Sequence, residues 1–395
     1  MKIAIINTYS NGSTGTIASS IGEYALSQGN EVRLYYGRQY NKEKNNWRYI
    51  GENKLELFAS NSLTLLFGNV GSFHISSTKR LINDLESFEP DVIHLHNIHG
   101  NYLNFKMLFT YLKKFQGKVV ITLHDEFLLT GRCALCFCEK WRTGCESCKY
   151  LNAYPRVFVD RSKKLQQQKL SYLKGIQNLT LVTPSLWLKS IARESMLKDI
   201  PCICIHNGML DTNPEEFDIS DIIDKKRINV LFAAYTWSIN KGALVIKEIA
   251  SRIDKNKFNI IITGYDNYCD QWFDFDCKKI GLLERNKMLY LLKNIDVFIN
   301  PTFKDNLPSI LIECLQVGTP SITFNTGGCS EIIDEKCGVV TKQNTAESLL
   351  NEINSFDKNY FDKNSFKEKF KQFSLEKMGS EYMLLFNNGM KQKDK

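Results

Sequence analysis

Short apolar runs alternate with helix-period segments along a 395-residue chain, and the series starts afresh near residue 228. Parallel strands need a long crossover and lie buried on both faces, so this alternation is the pattern of parallel sheets built from strand–helix–strand units. In the first half the strand candidates are residues 2–6, 31–35, 92–95, 119–123 and 179–183; in the second they are 229–233, 258–262, 297–300 and 320–324. The acid-rich, weakly apolar stretch 211–224 before the restart reads as a linker. A chain of this length exceeds one ordinary core. The expectation is α/β, with a first Rossmann-like domain over 1–210, a second over 211–373, and a closing helical segment over 374–395.

Composition narrows the class. Hydrophobic residues make up 43% and charged residues 24%, and no apolar run approaches the roughly 20 residues a membrane helix requires. Met1-Lys-Ile-Ala-Ile-Ile-Asn7 carries one positive charge and a very short apolar run, so it reads as a first strand rather than an export signal, and the expected location is the cytoplasm. Without export, twelve cysteines are expected as thiols or metal ligands rather than disulfides. The net charge of +8 is spread over separate clusters such as Arg161-Ser-Lys-Lys164 and Lys225-Lys-Arg227. That fits an ordinary solvated surface as well as an anionic bilayer or anionic substrates, and it gives no ground for a nucleic-acid partner.

Residues 295–331 carry the most chemistry. Ile295-Asp-Val-Phe-Ile-Asn300 reads as a buried strand, and Leu307-Pro308 opens a helix with proline in its first turn, where the missing N–H costs nothing. A helix N-terminus at the carboxyl end of a parallel strand favours an anion. Asp305 precedes that helix and Glu313 lies on it, so carboxylates flank free amides, which suits a ligand carrying both phosphate and hydroxyls. A sugar nucleotide is such a ligand. Asn325-Thr-Gly-Gly328 then supplies glycines that let backbone approach closely. Lys241-Gly242, at the start of another helix, adds an ammonium suited to a diphosphate. Asn11-Gly-Ser-Thr-Gly-Thr16 is a loop before a helix that does not match G-x-G-x-x-G, which argues against a nicotinamide enzyme.

The stretch from Asn300 to Glu331 resembles the donor-site signature of retaining, family-4 glycosyltransferases with the GT-B fold: an acid, seven residues, a glutamate, then Gly-Thr-Pro and a Gly-Gly turn. The resemblance implies two Rossmann-like domains facing each other across a cleft, with the last helix returning to the first domain. It implies that Glu313 holds the donor ribose and that Asp305, where the family usually has glutamate, addresses the transferred sugar. Lys241 and the backbone at Asn306, Leu307, Pro308 and Ser309 would meet the diphosphate, and the loop containing Gly15 would approach it from the first domain. The family's usual arginine shortly before the lysine is replaced here by Ala234, Tyr235, Thr236 and Trp237. The implied activity moves a sugar, with retention, from a UDP- or GDP-sugar to a lipid-linked or oligosaccharide acceptor in bacterial capsule, O-antigen or exopolysaccharide synthesis. No cofactor is implied for catalysis, and the enzyme is expected in the cytoplasm or peripherally on the inner membrane.

Two histidine-rich strand ends and a cysteine cluster belong to the first half. His94, His96 and His99 look at first like a metal site, but no acid or cysteine follows in the loop, and hydrogen-bonding roles are the better reading. His124-Asp125 ends a β-rich run at a carboxyl edge, where open α/β sheets bind ligands. Retaining relatives present a histidine from the matching position, which makes His124 the main catalytic candidate; the plain alternative is a buried histidine beside an aspartate that caps the next segment. Cys145 and Cys148 form a pair at zinc-knuckle spacing, with Cys133 and either Cys136 or Cys138 as partner pair. A resemblance to a polysaccharide-pathway subgroup favours Cys133, Cys138, Cys145 and Cys148 as ligands of a structural zinc, against free thiols. Rival readings are a sugar-nucleotide epimerase of the same architecture and a zinc-knuckle nucleic-acid binder, the latter with only Lys140, Trp141, Arg142 and Lys149 nearby to support it.

Overall fold

The computed structural model describes residues 1–38 and 47–388, and the chain folds as two compact units. The first comprises Met1–Gly208 together with the chain from Leu375, and the second comprises Met209–Ser374. No helix among the described residues is long and apolar enough to cross a membrane.

The first unit runs β1 (Lys2–Asn7), α1 (Gly12–Ser27), β2 (Glu31–Tyr36), β3 (Trp47–Tyr49), α2 (Lys54–Phe67), α3 (Ile75–Phe88), β4 (Val92–Leu95), α4 (Phe105–Lys114), β5 (Lys118–Thr122), α5 (Ser162–Leu173), β6 (Leu179–Thr183), α6 (Leu186–Glu194) and β7 (Cys202–Cys204). Its seven strands are parallel, in the order β3-β2-β1-β4-β5-β6-β7. Successive residues of a strand face opposite sides, which explains the unbroken apolar runs. Ala4 and Ile6 join a core with α3 and α4, while Ile3 and Ile5 join the other with α1.

The second unit runs β8 (Ile228–Ala233), α7 (Ala243–Arg252), β9 (Phe258–Thr263), β10 (Lys278–Lys279), α8 (Arg285–Asn294), β11 (Val297–Asn300), α9 (Ser309–Val317), β12 (Ser321–Thr323), α10 (Cys329–Ile332), β13 (Gly338–Val340), α11 (Ala346–Asn354) and α12 (Lys363–Lys371). Its sheet is parallel in the order β10-β9-β8-β11-β12-β13. Val230 and Phe232 pack toward α7 and α11, Leu231 and Phe298 toward α8, α9 and α12. The last helix, α13 (Leu375–Asn387), lies in the first unit, where Met378, Tyr382 and Phe386 complete the core beside α1.

Three sequence expectations need correction. Strands β3, β7, β10 and β13 were not foreseen, because each has two or three residues and shows no period. The stretch 211–224 is not a free linker: Phe217, Ile219, Ile222 and Ile223 pack on the core of the second unit between the acids. Pro308 is the N-cap of α9 rather than part of its first turn, since its ψ of 111° is extended and the helix begins at Ser309.

Candidate active site

In the second unit, three loops are laced together in front of α9. Phe303 N–H donates to Asn240 O at 2.9 Å, and Asn240 Nδ2 to Lys304 O at 3.1 Å, tying the loop before α7 to the one after β11. Gly328 N–H donates to Asn306 O at 2.8 Å, and Thr326 Oγ1 to Thr302 O at 2.8 Å, tying in the loop after β12. Gly327 has φ +53°, and a Cβ there would lie 1.6 Å from Asp305 O. The approach of two loops therefore already requires this glycine.

This lacing brings Lys241 and Asp305 together: Nζ lies 2.6 Å from Oδ2, with both side chains roughly a third exposed. Asn306 and Leu307 continue the loop, Leu307 with its side chain in the core, so only backbone is offered there. The segment ends at Pro308 and the exposed Ser309, where α9 begins. Glu313 sits in the second turn of α9, buried, and its Oε1 lies 3.4 Å from Arg285 Nε. Burial pushes its carboxyl up to about 7, against the pull of Arg285. Arg285 opens α8 and also donates to Leu210 O (3.0 Å), Thr212 Oγ1 (3.1 Å) and Gln316 Oε1 (2.9 Å). Sequence reasoning missed it, since nothing in the spacing of residues 285 and 313 marks them as neighbours. Trp237, one of the four residues standing where the resemblance implies an arginine, is buried with Nε1 donating to Thr263 O at 2.9 Å.

In the first unit, the ends of β4 and β5 carry a chain of imidazoles. His94 is fully buried: Nε2 is 2.8 Å from Thr122 Oγ1, which lies 2.8 Å from Tyr382 Oη on α13. His96 Nδ1 lies 2.8 Å from His124 Nε2. Burial is the main cause that lowers all three, His94 to about 3, His124 to about 4 and His96 well below its usual value, so these rings are neutral at pH 7. Each then carries one N–H and one lone pair. His96 Nε2 is buried without a partner, so a proton on its Nδ1 leaves only a lone pair unsatisfied and makes His124 a donor through Nδ1.

Asp125 does not serve His124. Its Oδ2 is 2.7 Å from His99 Nε2, and its Oδ1 accepts from Phe127 N–H at 2.9 Å, so the aspartate does cap the following segment. Burial alone would raise this carboxyl, but His99 and the Phe127 amide hold it below the usual value. His99 Nδ1 lies 3.3 Å from Tyr154 Oη. Gly15 has a packing role: α1 begins already at Gly12, and a Cβ on Gly15 would lie 2.7 Å from Ser10 C and 2.8 Å from Tyr9 O.

The cysteines of the loop between β5 and α5 surround one cavity. Cys136 is buried and its Sγ lies 3.6 Å from Cys138 Sγ, so both of the open choices line the same cavity.

Residues 214–373 match the family described as "Glycosyl transferases group 1". The chain is 25% identical over 370 residues, 86% of each protein, to the putative colanic acid biosynthesis glycosyl transferase WcaC of Escherichia coli K12. A shorter match, 26% over 136 residues and 35% of the relative, is to N,N'-diacetylbacillosaminyl-diphospho-undecaprenol alpha-1,3-N-acetylgalactosaminyltransferase of Campylobacter jejuni. Among solved structures, sucrose-phosphate synthase from Thermosynechococcus elongatus superposes with TM-score 0.69 at 14% identity over 98% of both chains. HepE from Anabaena, in complex with UDP and glucose, superposes with TM-score 0.66 at 13% identity over 98% of this chain and 100% of its own.

Proposed function

We propose that this chain, whose residues 214–373 match the group 1 glycosyl transferases and whose fold is GT-B, is a glycosyltransferase of bacterial polysaccharide synthesis that transfers a sugar, with retention, from a UDP- or GDP-sugar to a lipid-linked glycan. The observation that carries the reading is the Lys241–Asp305 pair in front of α9, with Glu313 buried one turn further along the same helix.

An incoming diphosphate competes with Asp305 for Lys241. The exchange places two negative oxygens against the ammonium and the first amides of α9, and frees the aspartate to accept from a sugar hydroxyl. Glu313 accepts from the ribose hydroxyls when ionised, a form that Arg285 favours against the burial that raises its carboxyl to about 7. Departure of the diphosphate builds charge where Lys241 and the backbone at Asn306–Ser309 already stand, so the barrier falls through charges fixed before the reaction. The departing oxygen takes the acceptor proton on the same face, which accounts for retention without a protein nucleophile, and no divalent ion is required in this scheme. His124, which carries its proton on Nδ1, is the residue of the first unit assigned to turnover.

A lipid-linked acceptor and peripheral membrane contact draw support from α2. Leu55 (83% exposed) and Phe58 (74%) line up with Leu63, Leu66 and Phe67 on its outer side. Phe158, also exposed, joins them through its N–H on Leu65 O at 3.0 Å, with Arg156 over its ring. An apolar ridge with a cation beside it suits the headgroup boundary of an anionic bilayer.

The test is a panel of UDP- and GDP-sugars, scored by calorimetry and by nucleotide release in the presence of polyprenyl-diphosphate-linked oligosaccharides. The expected result is one nucleotide bound well above the rest, with acceptor-dependent release. A chain that binds none of them is not the proposed enzyme.

A further inference from the structure

We propose that the cysteine loop of the first unit is a structural zinc site in which Cys133, Cys145 and Cys148 supply three thiolates and the Cys136–Cys138 pair supplies the fourth. All five line one cavity of about 240 Å³ between β5 and α5, and none of the twelve cysteines is in a disulfide. Cys136 Sγ and Cys138 Sγ lie 3.6 Å apart and line the same part of that cavity. A tetrahedral site with three other thiolates takes one of the two, and either is near enough to serve.

The backbone of the loop is already held for this purpose. Cys136 N–H donates to Glu126 Oε2, Cys145 N–H to Gln166 Oε1 and Cys148 N–H to Asp160 Oδ2, each at 2.7 Å. Gly131 N–H points at Cys145 Sγ from 3.1 Å, the contact that a thiolate rewards. Three cysteines fixed by three separate side chains from outside the ring are the arrangement expected of groups that orient metal ligands. No three of the sulfurs lie mutually within 4.8 Å among the described residues, so ligation closes the site by rotation of side chains on a backbone that stays in place.

Charge points the same way. Arg132 is a permanent cation, 1% exposed, and donates to the carbonyls of Tyr150, Ala153 and Pro155 and to Cys148 Sγ at 3.9 Å. The Asp160 carboxylate feels its charge, and its Nε is buried without a partner. A zinc tetrathiolate of charge −2 next to Cys148 would give this buried cation a second negative neighbour. Binding one Zn²⁺ to four thiols releases four protons, and no electron moves.

The loop also needs a staple. Between β5 and α5 the chain makes only one short 3-10 turn, and its own core is Cys133, Cys136, Trp141 and Cys145. The far end of the loop carries Tyr154 to His99, so the metal would hold one side of the acceptor-side histidine cluster in position. Four sulfurs leave no open coordination place, which assigns the ion to structure and not to the reaction.

The test is the metal content of the full chain, by mass spectrometry of the purified protein, and cobalt substitution read by thiolate-to-cobalt charge-transfer bands. The expected result is one zinc per chain. Cys145→Ser should weaken binding tenfold or more, Cys136→Ser and Cys138→Ser should each retain the metal, and the double variant should lose it. Circular dichroism of each variant separates loss of the metal from loss of the fold, and the cobalt spectrum of the unaltered chain stands whatever the variants do. A chain that takes up neither metal, with all five thiols reacting freely with a disulfide reagent, overturns the site. Loss of the metal in either single variant, Cys136→Ser or Cys138→Ser, overturns the shared fourth position.

Discussion

The two units solve the problem of a polar site in opposite ways. In the second, charges are paired before any ligand arrives: Lys241 with Asp305 at 2.6 Å, and Arg285 with Glu313 at 3.4 Å. In the first, three imidazoles are kept neutral by burial, with His96 hydrogen-bonded to His124 and His94 to Thr122. Paired ions are suited to exchange partners with an incoming anion, whereas neutral rings keep a fixed direction of donation across the physiological range. The contrast teaches that binding and turnover should separate by unit, and that pH should act on one unit only.

The largest expected effect breaks turnover alone. His124→Ala should lower kcat by about 10²–10³-fold, the usual cost of one preorganised donor, and leave the donor Kd within about twofold. A comparable loss of donor affinity would erase the distinction between the units. Next comes binding: Glu313→Ala removes charge-assisted hydrogen bonds to the ribose and should weaken the nucleotide by about 30-fold, or about 2 kcal/mol, in calorimetry.

A smaller effect is the pH response. Ribose hydroxyls donate to a carboxylate and not to a carboxylic acid, so only ionised Glu313 binds them. With its folded value raised to about 7, donor affinity should rise about tenfold from pH 6 to pH 8 and level above, while Glu313→Gln should show no such rise. His94, His96 and His124 are neutral throughout that window, so any pH dependence that persists in Glu313→Gln must come from other groups. The smallest effect is on stability. Asp305→Asn breaks an ion pair roughly a third exposed and should cost less than about 1 kcal/mol in denaturant unfolding, while transfer falls; a larger loss would mean that the pair is there to hold the loops.

How much of this was legible in the sequence follows from the range of each signal. Strands buried on both faces announce themselves in a few consecutive residues, and the order Gly318-Thr-Pro320 is local too: Gly318, at φ +77°, ends α9, and Thr319 Oγ1 bonds Leu292 O at 2.7 Å. The partnership of Arg285 with Glu313 depends on how α8 and α9 pack, which no spacing reports. Asp125 adjoins His124 in sequence yet turns to His99, because successive residues after a strand end leave it in different directions. The stripe Leu55, Phe58, Leu63 and Leu66 has the period of a core-facing helix, and periodicity is blind to whether the stripe meets protein or solvent. Acids in the stretch 211–224 concealed Phe217 and Ile219, whose burial only the fold reveals.

The central claim is retaining transfer from a nucleotide sugar, and proton NMR of one donor incubated with enzyme and lipid-linked acceptor tests it most directly. The account predicts that nucleoside diphosphate and glycosylated acceptor appear one for one, the new linkage having the anomeric configuration of the donor. A product of inverted configuration, or an epimerised donor with no nucleotide released, would contradict it.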